Sequence, residues 1–255
     1  MNAITAVVIT YNEERNIHRC IASLRTVAEE IIIVDSYSTD NTVEICKNAG
    51  VTVIQHKWAG FGEQKNVGIN AAANDYILSL DADEELDDKL VQSILNAKER
   101  GLKGAYMVHR LNFYYGKFIY HGNEYPDKKI RLFNRKEAMW NTELVHETLQ
   151  LKPNIAVTML QGKLLHYTYY KVEEHLIKSN KYTNLSAADY FRRGKKAPLW
   201  KIVFSPFVTF IQSYIFKRGF LDGTHGFIIA ILNAHASFSR YVKLWELYRT
   251  QKKAV

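Results

Sequence analysis

The chain has 255 residues, of which 47% are apolar and 24% charged. That composition suits one large globular domain, or one domain with a helical appendage, and excludes a disordered chain, a collagen-like fibre and a polytopic membrane protein. The formal net charge of +8 is unevenly placed: residues 1–170 carry 19 basic and 21 acidic side chains, whereas residues 171–255 carry 15 and 5.

Thr5–Thr10 is a continuous β-branched and apolar run, which predicts a strand buried on both faces. Ile17, Ile21 and Leu24 then fall at helical spacing. Ile31–Val34 predicts a second buried strand, Ser38-Thr39-Asp40 an N-cap, and Val43–Ala49 a helix closing at Gly50. Thr52–Gln55 predicts a third strand, Gly62–Ala73 a loop entering a helix, Tyr76–Leu80 a fourth strand and Leu86–Arg100 a long amphipathic helix. Such alternation predicts an α/β fold, a mostly parallel sheet flanked by helices. Beyond Gly104, Ala105–Leu111, Lys129–Asn134 and Ala156–Leu160 alternate like strands, and from Val172 onward the pattern is helical. Cys20 and Cys46 fall in predicted helices and read as buried free thiols, not a disulfide scaffold or a zinc module. No basic stretch precedes the first apolar run, so the expectation is a cytoplasmic chain without a signal peptide.

In open α/β sheets the ligand lies beyond the carboxyl ends of the strands. Here those ends read Tyr11-Asn12-Glu13-Glu14, Asp35-Ser36-Tyr37-Ser38-Thr39-Asp40 and Asp81-Ala82-Asp83-Glu84-Glu85. Like charges gathered at one edge are costly unless a cation or hydrogen-bond donors arrive there. A single one, such as Asp40, is equally well a helix cap. Asp81 and Asp83, two residues apart just past a strand, suit Mg²⁺ or Mn²⁺ shared with phosphates. The chain contains neither G-x-G-x-x-G nor a P-loop, so phosphates would be held by metal and by basic side chains, with Lys65 a candidate.

Four segments, VVITYNEERNI, EIIIVDSYSTDNT, GFGEQKNVGIN and YILSLDADEEL, occur in that order within about eighty residues. Together they resemble a family 2 glycosyltransferase of GT-A fold. The later segments YPDKKIRLFNR, ELVHE and LLHYTYYKVEEHLIKSNKY resemble the lipopolysaccharide inner-core β-1,4-glucosyltransferase subgroup. The resemblance implies that Tyr11, Glu13 and Asp35 bind the uridine of a UDP-sugar. It implies that Lys65 meets phosphate and that Asp81 and Asp83 serve metal and diphosphate, with Asp83 the closer metal ligand. It also implies an inverting reaction, which needs a carboxylate base to deprotonate the acceptor hydroxyl. The Glu-Asp pair that many members use is missing from residues 105–170. The nearest analogue is Val145-His146-Glu147, so Glu147 ranks first as base, Asp127 second and Glu143 third. His146 either completes the metal shell or is a structural histidine. Arg131 either faces an acceptor cleft or forms a salt bridge.

These readings divide the chain into a GT-A catalytic domain, 1–170, and a basic helical extension, 171–255. The extension contains the aromatic apolar run Leu199–Phe216, interrupted by Lys201 and Pro206. Basic residues flanking apolar surface predict attachment to an anionic membrane face, and no nucleic-acid signature is present. The expected partners are a UDP-sugar, a lipid-linked saccharide acceptor and the inner face of the cytoplasmic membrane. A polyprenyl-phosphate glycosyltransferase and a non-catalytic sugar-nucleotide-binding module are the alternatives.

Overall fold

A computed structural model describes residues 2–141 and 148–253, with side chains described through residue 250. The chain divides into two compact units, one of residues 1–110 and 127–167, the other of residues 111–126 and 168–255. The second therefore takes in a segment, 111–126, that the sequence reading leaves with the catalytic domain.

In the first unit, β1 (Ile4–Thr10), α1 (Ile17–Leu24), β2 (Glu30–Asp35), α2 (Thr42–Asn48), β3 (Thr52–Gln55), α3 (Phe61–Ala71) and β4 (Tyr76–Asp81) form the predicted alternation. There follow β5 (Glu84–Leu86), α4 (Asp88–Glu99), β6 (Ala105–Tyr114), β8 (Asp127–Asn134), β9 (Ala138–Trp140), β10 (Leu149–Leu151) and β11 (Val157–Tyr169), while β7 (Lys117–Phe118) and the ends of β6 and β11 belong to the second unit. The main sheet has the order β3-β2-β1-β4-β8-β6-β11-β5. The pairs β3–β2, β2–β1 and β1–β4 are parallel, whereas β8 joins β4 and β6 antiparallel. All seven residues of β1 are buried. Ala6 and Val8 pack on one face with Ile17, Cys20, Ile21 and Leu24 of α1, while Val7 and Ile9 pack on the other with Ile69 of α3. Burial on both faces is why the strand reads as an unbroken apolar run. Cys20 and Cys46 are buried free thiols, as expected.

The α2 cap differs from the predicted one. Its N-cap is Asn41, which makes no side-chain cap bond. Asp40 accepts instead from the Thr42 N–H (3.0 Å) and the Thr42 hydroxyl (2.5 Å), and from the Glu14 N–H (3.2 Å). The carboxylate thus joins two loops while satisfying a helix-end donor. Asp87 caps α4 by accepting from the Leu90 N–H at 2.7 Å. Beside that cap Gly162 of β11 has φ +97°, and a Cβ there would lie 2.2 Å from Leu90 N. Only glycine fits that approach.

The second unit holds α5 (Val172–Arg192), α6 (Leu199–Ile211), a π-type turn Gln212–Phe216 and α7 (Thr224–Lys253). Segment 111–126 belongs here through buried polar contacts. Asp222 accepts from the backbone N–H groups of Tyr120 and His121, and the Asn233 amide donates to Glu124. Pairings more than a hundred residues apart leave no local sequence pattern.

His175 of α5 is buried. It stacks on Tyr169 with ring centroids 4.4 Å apart and shares a hydrogen bond with the Tyr115 hydroxyl. Burial, helped by Lys178, lowers its pKa to about 4, against about 6.5 when unfolded. Between those values the unfolded chain binds more protons, so this contribution is complete above the upper value and is lost as pH falls toward the lower one. The urea midpoint is expected to drop across that window, and His175→Phe to flatten the drop. An unchanged slope in the variant would show that another group is responsible.

Candidate active site

The parallel register sets the site. Thr10 of β1 pairs with Asp35 of β2, and Ile9 pairs with Asp81 of β4, so the three carboxyl ends lie side by side. The loops after β1 and β2 are stitched together. The Asn12 N–H donates to Ser38 Oγ (2.8 Å), the Thr39 N–H to Asn12 Oδ1 (2.8 Å) and the Glu13 N–H to Thr42 Oγ1 (2.8 Å). Asn12 and Tyr37 adopt φ of 54° and 62°. The conformation is costly for tyrosine and persists only where surrounding bonds hold it. The Tyr11 and Tyr37 side chains are left exposed. Glu13 accepts from the Asn16 amide at 2.6 Å. Asp35 is fully buried. Its carboxylate accepts from the Ser38 N–H and hydroxyl, the latter at 2.5 Å, and more weakly from Gln55 Nε2 at 3.3 Å.

At the end of β4 a chain of charges is assembled from five elements. Lys65 Nζ of α3 is 3.2 Å from Asp81 Oδ1, and Arg131 Nη2 of β8 is 3.1 Å from Asp81 Oδ2. The same Arg131 nitrogen lies 2.5 Å from Glu84 Oε1 of β5, which Arg110 of β6 also meets at 3.3 Å. Arg110 continues to Asp127 at 2.7 Å, and Lys129 closes on Asp127 at 3.3 Å. Lys65, Glu84 and Arg131 are buried. Burial opposes the charge on Asp81, but Lys65, Arg131, Arg110 and His166 outweigh it and hold the carboxyl far below its ordinary range. Arg131 is pushed up by Glu84 and Asp81 against its own burial. Lys65 also lies 4.4 Å from the centre of the Trp140 ring. Trp140 is itself fixed by Asn66, whose amide donates to the Trp140 carbonyl at 2.9 Å. A lysine pinned between carboxylate and indole is pre-positioned for an anion.

Asp83 is paired with His166 Nε2 of β11 at 3.2 Å. The Tyr167 N–H donates to the Asp83 carbonyl at 2.9 Å, fixing the turn. The Asp83 carboxylate suits Mg²⁺ or Mn²⁺, and an added imidazole nitrogen favours Mn²⁺ over the harder Mg²⁺. Asp81, whose Oδ1 faces Lys65 at 3.2 Å, lies two residues before Asp83 on the same strand edge. Among the described residues no group of three or more His, Cys, Asp or Glu side chains is arranged around a common point. A divalent ion here would take few protein ligands and complete its shell with phosphate and water, as Mg²⁺ commonly does.

The structure therefore brings Lys65, Asp81 and Asp83 to one strand edge beside Tyr11, Glu13 and Asp35. Arg131 takes the salt-bridge alternative. Asp127 is held by Arg110 and Lys129, which, against its burial, keep its carboxyl below the usual range. That makes it a weak proton acceptor. Glu147, Glu143 and His146 lie outside the described residues. Sequence reasoning missed Glu84, Arg110, Trp140 and His166. The one available signal for His166 was a polar residue directly after the apolar pair Leu164-Leu165.

A mixed α/β sheet whose parallel strands carry carboxylates at their carboxyl edge, with buried cations set against them, is laid out as an enzyme site. The family model described as Glycosyl transferase family 2 matches residues 5–162, and the chain belongs to that family: it is a glycosyltransferase. It is 32% identical to an uncharacterized glycosyltransferase of Rickettsia typhi over 97% of this chain and 88% of that one. It is 29% identical to the lipopolysaccharide core biosynthesis glycosyltransferase LpsC of Rhizobium meliloti, over 95% of this chain and 92% of that one. The crystal structure of S. aureus TarS 1-349 superposes with a TM-score of 0.49 at 15% identity, covering 98% of this chain and 92% of that one.

Proposed function

We propose that the protein transfers a hexose, glucose in our reading, from a UDP-sugar to a lipopolysaccharide core or other lipid-linked saccharide, with inversion and with a divalent metal. The observation that carries the reading is the edge where Asp81 and Asp83 adjoin buried Lys65 and Arg131. The relationship to LpsC supports a core saccharide as acceptor. Asp83 and His166 would hold Mg²⁺ or Mn²⁺, with Asp81 adjacent, and His146 is not needed for that set. The ion, when bound, neutralises diphosphate charge and improves the leaving group. Lys65 faces the same charge from α3. Tyr11, Glu13 and Asp35 frame the uridine, Asp35 by fixing the Ser38 turn from beneath. In the transfer the acceptor oxygen bonds to the anomeric carbon while the carbon–oxygen bond to phosphate breaks. The electron pair leaves with UDP, and the acceptor proton passes to a carboxylate, Glu147 in our assignment.

The reading assigns residues 171–255 to membrane contact. Leu199–Phe216 is 18 residues of mean hydropathy 1.3, and 11% of it is buried. Trp200, Phe207 and Phe216 are 60%, 64% and 78% exposed. With Lys201 and Pro206 inside it, the segment lies in the plane of an inner-leaflet surface rather than across the bilayer.

The test is a panel of UDP-sugars with purified protein and a core-saccharide acceptor, scored for UDP release with and without Mn²⁺. UDP-glucose should be turned over only with metal. Turnover with no UDP-sugar would overturn the reading. Glu147→Gln should cut turnover by at least about a hundredfold with donor binding intact, and Asp127→Asn by much less. The reverse ranking would move the base to Asp127. Asp35→Ala should weaken UDP binding by about tenfold or more, the scale of a charge-assisted hydrogen-bond set. Calorimetry giving wild-type affinity would remove Asp35 from the nucleotide site.

A further inference from the structure

In the second unit a polar cavity lies between helices, and α6 turns an apolar face outward. On α5, Ser179, Thr183 and Ser186 line a cavity of about 280 Å³, together with Thr209 of α6 and with Asn233, Ser237 and Arg240 of α7. Outward, α6 exposes Trp200, Phe204, Phe207, Val208 and Ile211. A surface helix of a water-soluble protein normally turns its polar face to the solvent instead. Polar groups turned inward from an apolar exterior mark a chamber for a polar ligand at a lipid surface.

Three charged groups give the chamber its chemistry. Arg240 has no carboxylate partner among the described residues, and its buried Nε makes no hydrogen bond. Its guanidinium is held over the Tyr190 and Tyr241 rings, 5.2 and 5.5 Å from their centres. One turn further along α7, Lys243 donates to the Thr183 hydroxyl of the cavity wall at 2.7 Å. Glu124 is the anionic group in the lining. It accepts from the Tyr114 hydroxyl at 2.8 Å and the Asn233 amide at 3.1 Å, which leaves lone pairs for ligand hydroxyls. An unpaired guanidinium with hydroxyl and carboxylate acceptors around it suits a phosphate carrying a polyol. A second, apolar groove of about 290 Å³ is lined by Trp200, Phe204 and Val208, and shares Thr209, Ser237 and Arg240 with the cavity. Arg240 thus stands where a polar chamber meets an apolar trough.

We propose that this paired cavity and groove bind one anionic phospholipid, its phospho-polyol headgroup on Arg240 in the cavity and an acyl chain along Trp200, Phe204 and Val208. The site goes beyond diffuse attachment of a basic face, although it rests on the proposed membrane contact of this unit. It would seat the enzyme at a fixed depth and rotation on the leaflet that carries its acceptor.

The experiment is co-flotation of the full chain with phosphatidylcholine vesicles, with or without 30% phosphatidylglycerol, alongside titration of soluble dihexanoyl-phosphatidylglycerol and of glycerol phosphate. UDP binding, followed in parallel, reports the first unit independently. The chain should float with phosphatidylglycerol vesicles and bind the short-chain lipid more tightly than glycerol phosphate. Arg240→Gln should weaken both lipid interactions about tenfold or more, Arg240→Lys should restore most of the loss, and Lys181→Gln, which removes an exposed α5 charge, should change little. Equal losses in Arg240→Gln and Lys181→Gln would overturn the specific site and leave only surface attraction. Equal affinity for glycerol phosphate and the lipid would overturn the role of the groove. No flotation with either vesicle would overturn the site and the membrane reading together, while UDP binding would stand.

Discussion

Asp83→Ala is expected to lower transfer by about a thousandfold or more, the scale of several kcal/mol of charge stabilisation by a metal. His166→Ala should fall nearly as far. The reason is their pairing at 3.2 Å on neighbouring parts of the strand edge, where each supplies one of the few protein ligands. Both side chains are partly open, 18% for Asp83 and 10% for His166, so the thermal midpoint should move by only a few degrees. Metal binding is to be read directly, by the Mn²⁺ signal in electron paramagnetic resonance with UDP present. Both variants should release the ion into solution, and EDTA should silence the native enzyme. Undiminished turnover in EDTA, or native Mn²⁺ affinity in His166→Ala, would remove this pair from the metal site.

The four parallel strands and their carboxyl ends were legible because their causes are local. A strand buried on both faces must be apolar throughout, as β1 is, and the acids that follow it are adjacent in the chain. His166 was hidden by a break in the pattern. The alternation beginning near Ala156 ends at Leu160, because Gln161-Gly162-Lys163 interrupts it. In the structure β11 runs on to Tyr169, with Gly162 admitting the start of α4. Glu84 was visible only as one acid among four in Asp81-Ala82-Asp83-Glu84-Glu85. What singles it out is β5 pairing with β11, which sets Glu84 opposite His166. Arg110 and Arg131 reach it from β6 and β8, neighbours in the sheet. Strand order across a mixed sheet has no signature in any one segment, so the buried charge network could not be read before the fold.

Glu84→Gln should be the most destabilising conservative change in the catalytic unit. Glu84 is fully buried and is met by Arg131 at 2.5 Å and Arg110 at 3.3 Å, while its second oxygen accepts from the Asp81 N–H at 3.1 Å. An amide keeps the shape but removes the anion between two guanidinium groups, one of them almost fully buried. Removing one partner of a buried ion pair typically costs about 3–5 kcal/mol, although here Arg131 keeps Asp81 and Arg110 keeps Asp127, which favours the lower end. For a chain of this size that corresponds to a thermal midpoint lower by roughly 6–20 °C. The same change leaves Lys65, Arg131 and Arg110 facing only Asp81 and Asp127, an excess of positive charge beside the proposed diphosphate position. UDP with Mg²⁺ should therefore raise the midpoint of Glu84→Gln by more than it raises that of the native protein. If the nucleotide protects both equally, the excess charge is not sensed by the diphosphate, and the ion chain from Asp81 to Asp127 serves the sheet alone.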